Sequence, residues 1–164
     1  SAASDVYKRQ MRILDQKKLE YRSHFYGDTG AISGTDVAQA LNENPQSVFK
    51  TLVTAGKSKK YYVFMVPVCE ELDLKKAAKS VNEKSIEMIK SKELLPLTGY
   101  IHGGCSPIGM KKLFTTVIHY TANSFDKIFF SGGRIGCQIE MSFESLRKVI
   151  PINTADIIVN KNDL

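Results

Sequence analysis

The order of hydrophobic and polar positions along the chain predicts a mixture of strands and helices. Residues 19–26 alternate between two faces, which is typical of a strand and places His24 and Tyr26 on the same side. Residues 48–55 and 61–68 are nearly continuous apolar runs on either side of a Gly-Lys-Ser-Lys-Lys turn, and they predict a hairpin inside a sheet. Further strands are expected at 85–89, 115–120, 127–131 and 137–141.

Helices are predicted where apolar residues recur at spacings of three and four behind a capping side chain. Asp73 precedes such a stripe at 74, 77, 78 and 81, Ser33 precedes a short helix, and Ser142 precedes a last helix that Pro151 ends. A helix is also expected from Met11, with single helical turns at 45–47 and at 91–95, the latter stopped by Pro96. Strands and helices without a regular alternation indicate one α+β domain built on a mixed sheet.

Composition agrees with an ordinary globular domain of 164 residues, of which 43% are hydrophobic and 24% charged. No apolar run reaches the roughly 18 to 20 residues that span a bilayer, and no signal peptide is visible, so we expect a cytoplasmic protein. Cys69, Cys105 and Cys137 form no CxxC pair, and the three histidines lack metal-ligand spacing. The sequence therefore predicts reduced thiols, no metal and no cofactor.

The formal net charge of +6 favours a polyanionic partner, with nucleic acid the first class to consider. Lysines cluster at three places, and these clusters favour RNA: 57/59/60, 75/76/79 and 111/112. No RRM, KH or zinc-finger signature accompanies them. Residues 1–10 do not share the domain's pattern and are expected to be a leader or a junction segment.

Two stretches suggest a site. Residues 98–112 read TGYIHGGCSPIGMKK, a glycine-rich loop whose backbone N–H groups could point towards a negatively charged oxygen, although a plain surface connection fits as well. The strand at residues 48–53 carries one lysine, Lys50, in an otherwise apolar run. Lys50 could act on a ligand, or it could pack its stem and extend its ammonium group to water.

Four segments, taken in order and spacing, resemble the YbaK/EbsC family: Phe49-Lys50-Thr51, residues 72–79, residues 98–112 and Ser131-Gly132-Gly133. This is the family of Cys-tRNA(Pro) deacylases, which are related to the editing insertion of bacterial prolyl-tRNA synthetases. The resemblance covers the chain after Met11. It implies a domain over residues 11–160 with a mixed, partly barrel-like β-sheet flanked by helices.

By this resemblance the chain hydrolyses the ester of mischarged Cys-tRNA(Pro), in trans and beside prolyl-tRNA synthetase. Lys50 would orient the aminoacyl-adenosine end, while backbone N–H groups near Gly103 and Gly104 would face the ester carbonyl. The remaining expected walls of the substrate pocket are Tyr26, Thr51, Pro107, Ser131 and Gly132. For a cysteinyl ester the substrate's own thiol is expected to attack its carbonyl, so no protein nucleophile is needed. Some relatives carry Asp where this chain has Gln138, so no carboxylate is assigned to the chemistry.

Three other hypotheses about the function remain open at this point. Cys105 could be a nucleophile with His102 as its base, because the two residues lie three positions apart in the glycine loop. The chain could be a non-catalytic tRNA-binding module that uses the same pocket. It could also be a deacylase for another small amino acid such as alanine.

Overall fold

The strands of the protein form two sheets, which an isolated bridge between Val48 and Phe129 links. The computed structural model describes residues 2–163, with the backbone alone described for residues 2–5 and 7. An antiparallel sheet has the order β1-β7-β6, and a mixed sheet has the order β4-β2-β3-β5-β8. The strands are β1 (Arg22–Phe25), β2 (Phe49–Gly56), β3 (Tyr61–Pro67), β4 (Ile86–Met88), β5 (Thr115–His119), β6 (Ile128–Ser131), β7 (Cys137–Met141) and β8 (Ile152–Ala155).

Five α-helices among the described residues flank these sheets: α1 (Ala2–Gln16), α2 (Gly34–Ala40), α3 (Leu74–Ser80), α4 (Ser91–Thr98) and α5 (Phe143–Arg147). The predicted caps are present. Ser33 accepts a hydrogen bond from the Asp36 N–H, Asp73 accepts from the N–H groups of Lys75 and Lys76, and Ser142 accepts from the Ser145 N–H. The predicted α+β fold, a mixed sheet flanked by helices, is confirmed, with its strands divided between two sheets.

The β2–β3 hairpin lies at the centre of the molecule, as its apolar sequence predicts. Phe64, Met65 and Val66 of β3 are fully buried, because β2 and β5 cover both edges and side chains cover both faces. Met65 belongs to the core shared with the antiparallel sheet, while Phe64 packs with Ala77 of α3. The strand that carries Lys50 is therefore held rigidly on its β3 side.

The structure departs from the pattern at three elements. Helix α1 begins at Ala2 rather than Met11, and Gln10 is fully buried, where its Nε2 donates to the Gly132 carbonyl at 2.6 Å. The assignment of residues 1–10 to a leader stays a prediction.

Helix α4 continues through Pro96 to Thr98, because the Thr98 hydroxyl and the Gly99 N–H supply hydrogen bonds to the carbonyls of Leu94 and Leu95. Strand β8 was not predicted at all.

Candidate active site

A cavity of about 780 Å³ opens beside the part of β2 that β4 does not pair. Strand β4 pairs with β2 only at residues 54–56, and residues 48–53 form one wall of the cavity. The other walls come from the start of α2, the connection from β4 into α4, the glycine loop and the ends of β6 and β7. These segments are far apart in sequence, so the cavity exists only in the folded chain.

Lys50 and Thr51, two of the residues expected at a substrate pocket, both line this cavity. Lys50 is half-buried and makes no ion pair with any carboxylate of the described residues. An ammonium group without a counter-ion at a concave wall can stabilise negative charge on a ligand. The role of Lys50 in the site stays a prediction.

Two of the three buried side-chain polar atoms that lack a partner among the described residues belong to residues that line this cavity. They are Thr51 Oγ1 and Gln138 Oε1, and both residues line the wall. Buried polar groups in proteins are almost always hydrogen-bonded. Their lack of a protein partner favours a site that a polar ligand or ordered water completes.

The structure separates the predicted glycine and proline residues into two groups. Gly103 lines the cavity with φ of +84°, a left-handed conformation that glycine adopts without strain. Gly104 does not line it: its N–H donates to the Ile101 carbonyl at 3.0 Å, so it is not free to face a substrate carbonyl. A Cβ at Gly104 would lie 2.9 Å from the Arg134 Cα, so this glycine lets the loop pack against the β6–β7 turn.

Pro107 and Gly132 also lie away from the cavity wall. Pro107 is buried beside a separate pocket of about 100 Å³, next to Ile108 and Gly109. Gly132 donates its N–H to the Cys137 carbonyl at 2.8 Å, and a Cβ there would collide with the Cys137 sulfur at 2.4 Å. Both residues shape the loops behind the cavity rather than its surface.

Tyr26 and Ser131, which the resemblance assigns to the substrate pocket, also line the cavity. Tyr26 is buried at the end of β1, where its N–H donates to the Gly136 carbonyl at 2.9 Å. The Ser131 hydroxyl accepts a hydrogen bond from the Gly133 N–H at 3.2 Å. Each residue thus ties the cavity wall to the turn between β6 and β7.

Sequence reasoning missed the side of the cavity that α2 and α4 provide. Ile32 and Met88 are exposed apolar residues at this side, and Asp36 and Lys90 add charges. No spacing in the sequence connects these segments with Lys50. Met88 is a large, exposed apolar side chain on the edge strand β4. This exposure points to the site, but it is known only after the chain has folded.

His102 and Cys105 line the same cavity, so the structure does bring the alternative nucleophile and base to the site. Burial, however, raises the pKa of the Cys105 thiol to about 12. A thiol with this pKa is protonated near neutral pH and is a poor nucleophile. The structure therefore argues against Cys105 as the attacking group.

Replacing Cys105 with alanine should consequently leave deacylation of a cysteinyl ester within about threefold of the wild-type rate, since only packing changes. The measurement is single-turnover deacylation, with thermal unfolding as the test of folding. An inactive but folded variant would restore Cys105 as the nucleophile.

The described part of the chain contains no cluster of three or more His, Cys, Asp or Glu side chains able to hold a metal ion. Cys69 and Cys105 are free thiols. Among the described helices none is long and apolar enough to cross a membrane.

This fold and this cavity define an aminoacyl-tRNA editing domain: the model of that family matches residues 31–149, and the chain belongs to the family. EbsC of Enterococcus faecalis, whose name describes a Cys-tRNA(Pro)/Cys-tRNA(Cys) deacylase, is 42% identical over 137 residues, which cover 83% of this chain and 84% of EbsC. The resemblance to the YbaK/EbsC family is confirmed.

Solved structures agree with this fold at much lower sequence identity. One is described as a trans-editing enzyme for prolyl-tRNA synthetase, with a TM-score of 0.81, 20% identity and coverage of 94% of this chain and 98% of that chain. The hypothetical protein APE2540 has a TM-score of 0.83, 19% identity and coverage of 91% and 98%. At these identities the likeness establishes the fold alone.

Proposed function

We propose that this protein is a trans-editing deacylase that hydrolyses the ester of Cys-tRNA(Pro). The observation that carries the proposal is a cavity with an unpaired lysine, a glycine loop and no activated protein nucleophile. An aminoacyl ester is already activated, so an enzyme needs mainly to position it and to stabilise the developing oxyanion. The name of the related EbsC protein supports the same activity.

In the proposed reaction the sulfur of the bound cysteine attacks its own ester carbonyl. The new S–C bond closes a four-membered thiolactone, the C–O bond to the ribose breaks, and the 3′ oxygen leaves with a proton as the terminal hydroxyl of tRNA. Lys50 orients the aminoacyl-adenosine end and stabilises the oxyanion, and the backbone at Gly103 faces the same carbonyl. Because attack is intramolecular, correct placement replaces a protein nucleophile.

Exposed lysines would hold the acceptor stem through its phosphates. Lys90 at the cavity and the clusters at 57/59/60 and 111/112 are exposed. Lys76 is engaged elsewhere, since its Nζ lies 3.0 Å from Asp156 Oδ2 and donates to the Ile158 carbonyl at 2.8 Å. We propose prolyl-tRNA synthetase as the cytoplasmic partner that supplies mischarged tRNA.

The experiment that tests this function follows the ester bond of cysteine on two tRNAs, because EbsC is named for both tRNA(Pro) and tRNA(Cys). With catalytic amounts of the protein, Cys-tRNA(Pro) should lose cysteine at least about tenfold faster than it does spontaneously, while Pro-tRNA(Pro) should decay at its spontaneous rate. The deacylation rate of Cys-tRNA(Cys) shows whether the tRNA beyond the cysteinyl ester affects the reaction. An unchanged lifetime of Cys-tRNA(Pro), with the tRNA demonstrably bound, would leave a non-catalytic tRNA-binding module.

A further inference from the structure

Gln138 occupies a position at the cavity that the proposed reaction has not yet used. It lies on β7, where its Cα is paired with Ser131 of β6 on one side and with His24 of β1 on the other. The side chain is only 2% exposed. Ser131 and Gln138 both line the cavity, together with their chain neighbours Phe130 and Cys137, so the antiparallel sheet contributes part of its wall.

Glu43 fixes the orientation of the Gln138 carboxamide. Gln138 Nε2 donates to Glu43 Oε1 at 2.8 Å, and a carboxylate can only accept hydrogen bonds. The NH₂ end of the carboxamide is thereby held at Glu43, which does not line the cavity. Gln138 Oε1 is then left as a buried acceptor without a partner among the described residues, in a side chain that lines the cavity.

The charges around the cavity give it two different sides. Glu43 stands behind Gln138, in electrostatic contact with His24 and Glu140, and these two residues pair with each other at 2.8 Å. Glu43 itself has no ion pair among the described residues. Lys50 brings a positive charge to the wall formed by β2. One side thus attracts a donor with positive charge, and the other attracts an oxygen with negative charge.

An aminoacyl ester carries these two groups on adjacent atoms, an α-ammonium group and a carbonyl. We propose that Gln138 is a specificity residue whose Oε1 accepts a hydrogen bond from the α-ammonium group of the aminoacyl ester, and that Glu43 is a positioning residue that holds the carboxamide. This inference rests on the proposed function. With the ammonium group at Gln138 and the carbonyl towards Lys50, the substrate has one orientation, in which its side chain is placed for attack.

The test uses tRNA ligands that bind without being hydrolysed, so that binding is measured separately from turnover. One tRNA(Pro) ends in 3′-amino-3′-deoxyadenosine that carries cysteine through an amide, and a second carries 3-mercaptopropanoate, which keeps the thiol but lacks the amino group. Wild-type protein should bind the cysteinyl ligand at least about tenfold more tightly, the magnitude typical of a charge-assisted hydrogen bond. Gln138→Met should abolish this preference without weakening the mercaptopropanoyl ligand.

Glu43→Gln should reduce the preference by several-fold, because a carboxamide at position 43 can pair with either end of Gln138. Glu140→Gln is the matched control. It removes the other carboxylate of the group formed by Glu43, His24 and Glu140, but Glu140 makes no hydrogen bond to Gln138. This variant should therefore keep the full preference for the cysteinyl ligand. Thermal unfolding of each variant separates loss of the contact from loss of the fold.

Three results would overturn the inference. The first is equal binding of both ligands by wild-type protein, which no folding defect in a variant can explain. The second is a Gln138→Met variant that weakens both ligands by the same factor, which would place its contact at the thiol or the ribose. The third is a Glu43→Gln variant that keeps the full preference, which would end the positioning role of Glu43. Failure of wild-type protein to bind charged tRNA better than uncharged tRNA would instead count against the proposed function itself.

Discussion

Alanine in place of Lys50 should lower kcat/KM for Cys-tRNA(Pro) by at least about 100-fold, the scale of losing one oxyanion-stabilising group. Lys50 brings an ammonium group to the cavity that no described carboxylate neutralises, so its charge is available to the substrate. The loss should appear in the chemical step, and charged tRNA should lose more affinity than uncharged tRNA. Single-turnover deacylation and filter binding measure the two effects.

Lys90 provides the matched control, because it is a second lysine at the same cavity but lies exposed where the chain enters α4. Lys90→Ala should change the rate by no more than a few-fold, as expected for one phosphate contact. Near-normal deacylation by a folded Lys50→Ala variant would remove Lys50 from the mechanism. Equal losses in the two variants would mean that the lysines serve only to attract tRNA.

Cysteine should be removed from tRNA(Pro) faster than serine by a factor of at least about 100, although the two side chains are similar in size. A thiol with a pKa of about 8.5 is partly ionised near neutral pH, whereas a hydroxyl needs a general base to attack. If the protein supplies only placement and oxyanion stabilisation, the side chain of the substrate determines the rate. Deacylation of Cys, Ala, Ser and Pro esters of one tRNA(Pro) measures this, and proline, which is bulkier and has no thiol, should be spared.

The first product of the reaction and the His102→Ala variant distinguish self-attack by the substrate from attack by water. Trapping should find the cysteine thiolactone before free cysteine. His102 lines the cavity and is a group able to activate water there, but self-attack by the substrate does not need it, so His102→Ala should leave the rate for cysteine nearly unchanged. Comparable rates for Cys and Ser, together with loss of both in His102→Ala, would identify an ordinary activated-water esterase. Rapid loss of Ala would extend the activity to small side chains without a thiol.

The proposed roles of Lys50 and Gln138 separate recognition from catalysis. Lys50 would act on charge that develops during the reaction, so its removal should lower kcat most. Gln138 would contact a group whose charge is the same before and during the reaction, so its removal should mainly raise KM. We therefore expect the Lys50 variant to change mainly kcat and the Gln138 variant mainly KM for the same ester.

The elements whose stability is local could be predicted from the sequence. The β2–β3 hairpin follows from two apolar runs and a polar turn, and the starts of α2, α3 and α5 follow from Ser33, Asp73 and Ser142. Each of these signals lies within a few residues of the element it determines. The candidate residues Lys50, Thr51 and Gly103 stand in segments of this kind and in recognisable family motifs, and they do line the cavity.

Tertiary structure alone decided the elements that depend on distant partners. Strand β8 forms because β5 offers a parallel edge, and nothing in the residues of β8 shows this partner. Helix α4 continues past Pro96 with Leu94 buried in a cluster that includes Val53 and Val63, and only the fold decides this burial.

The same division applies to the site. Family spacing placed Gly104, Pro107 and Gly132 in the pocket, but close packing of the loops uses them behind its wall. The role inferred for Gln138 depends on Glu43, 95 residues away in the sequence. A motif records which residues recur together, whereas only the folded chain determines which atoms face the same space.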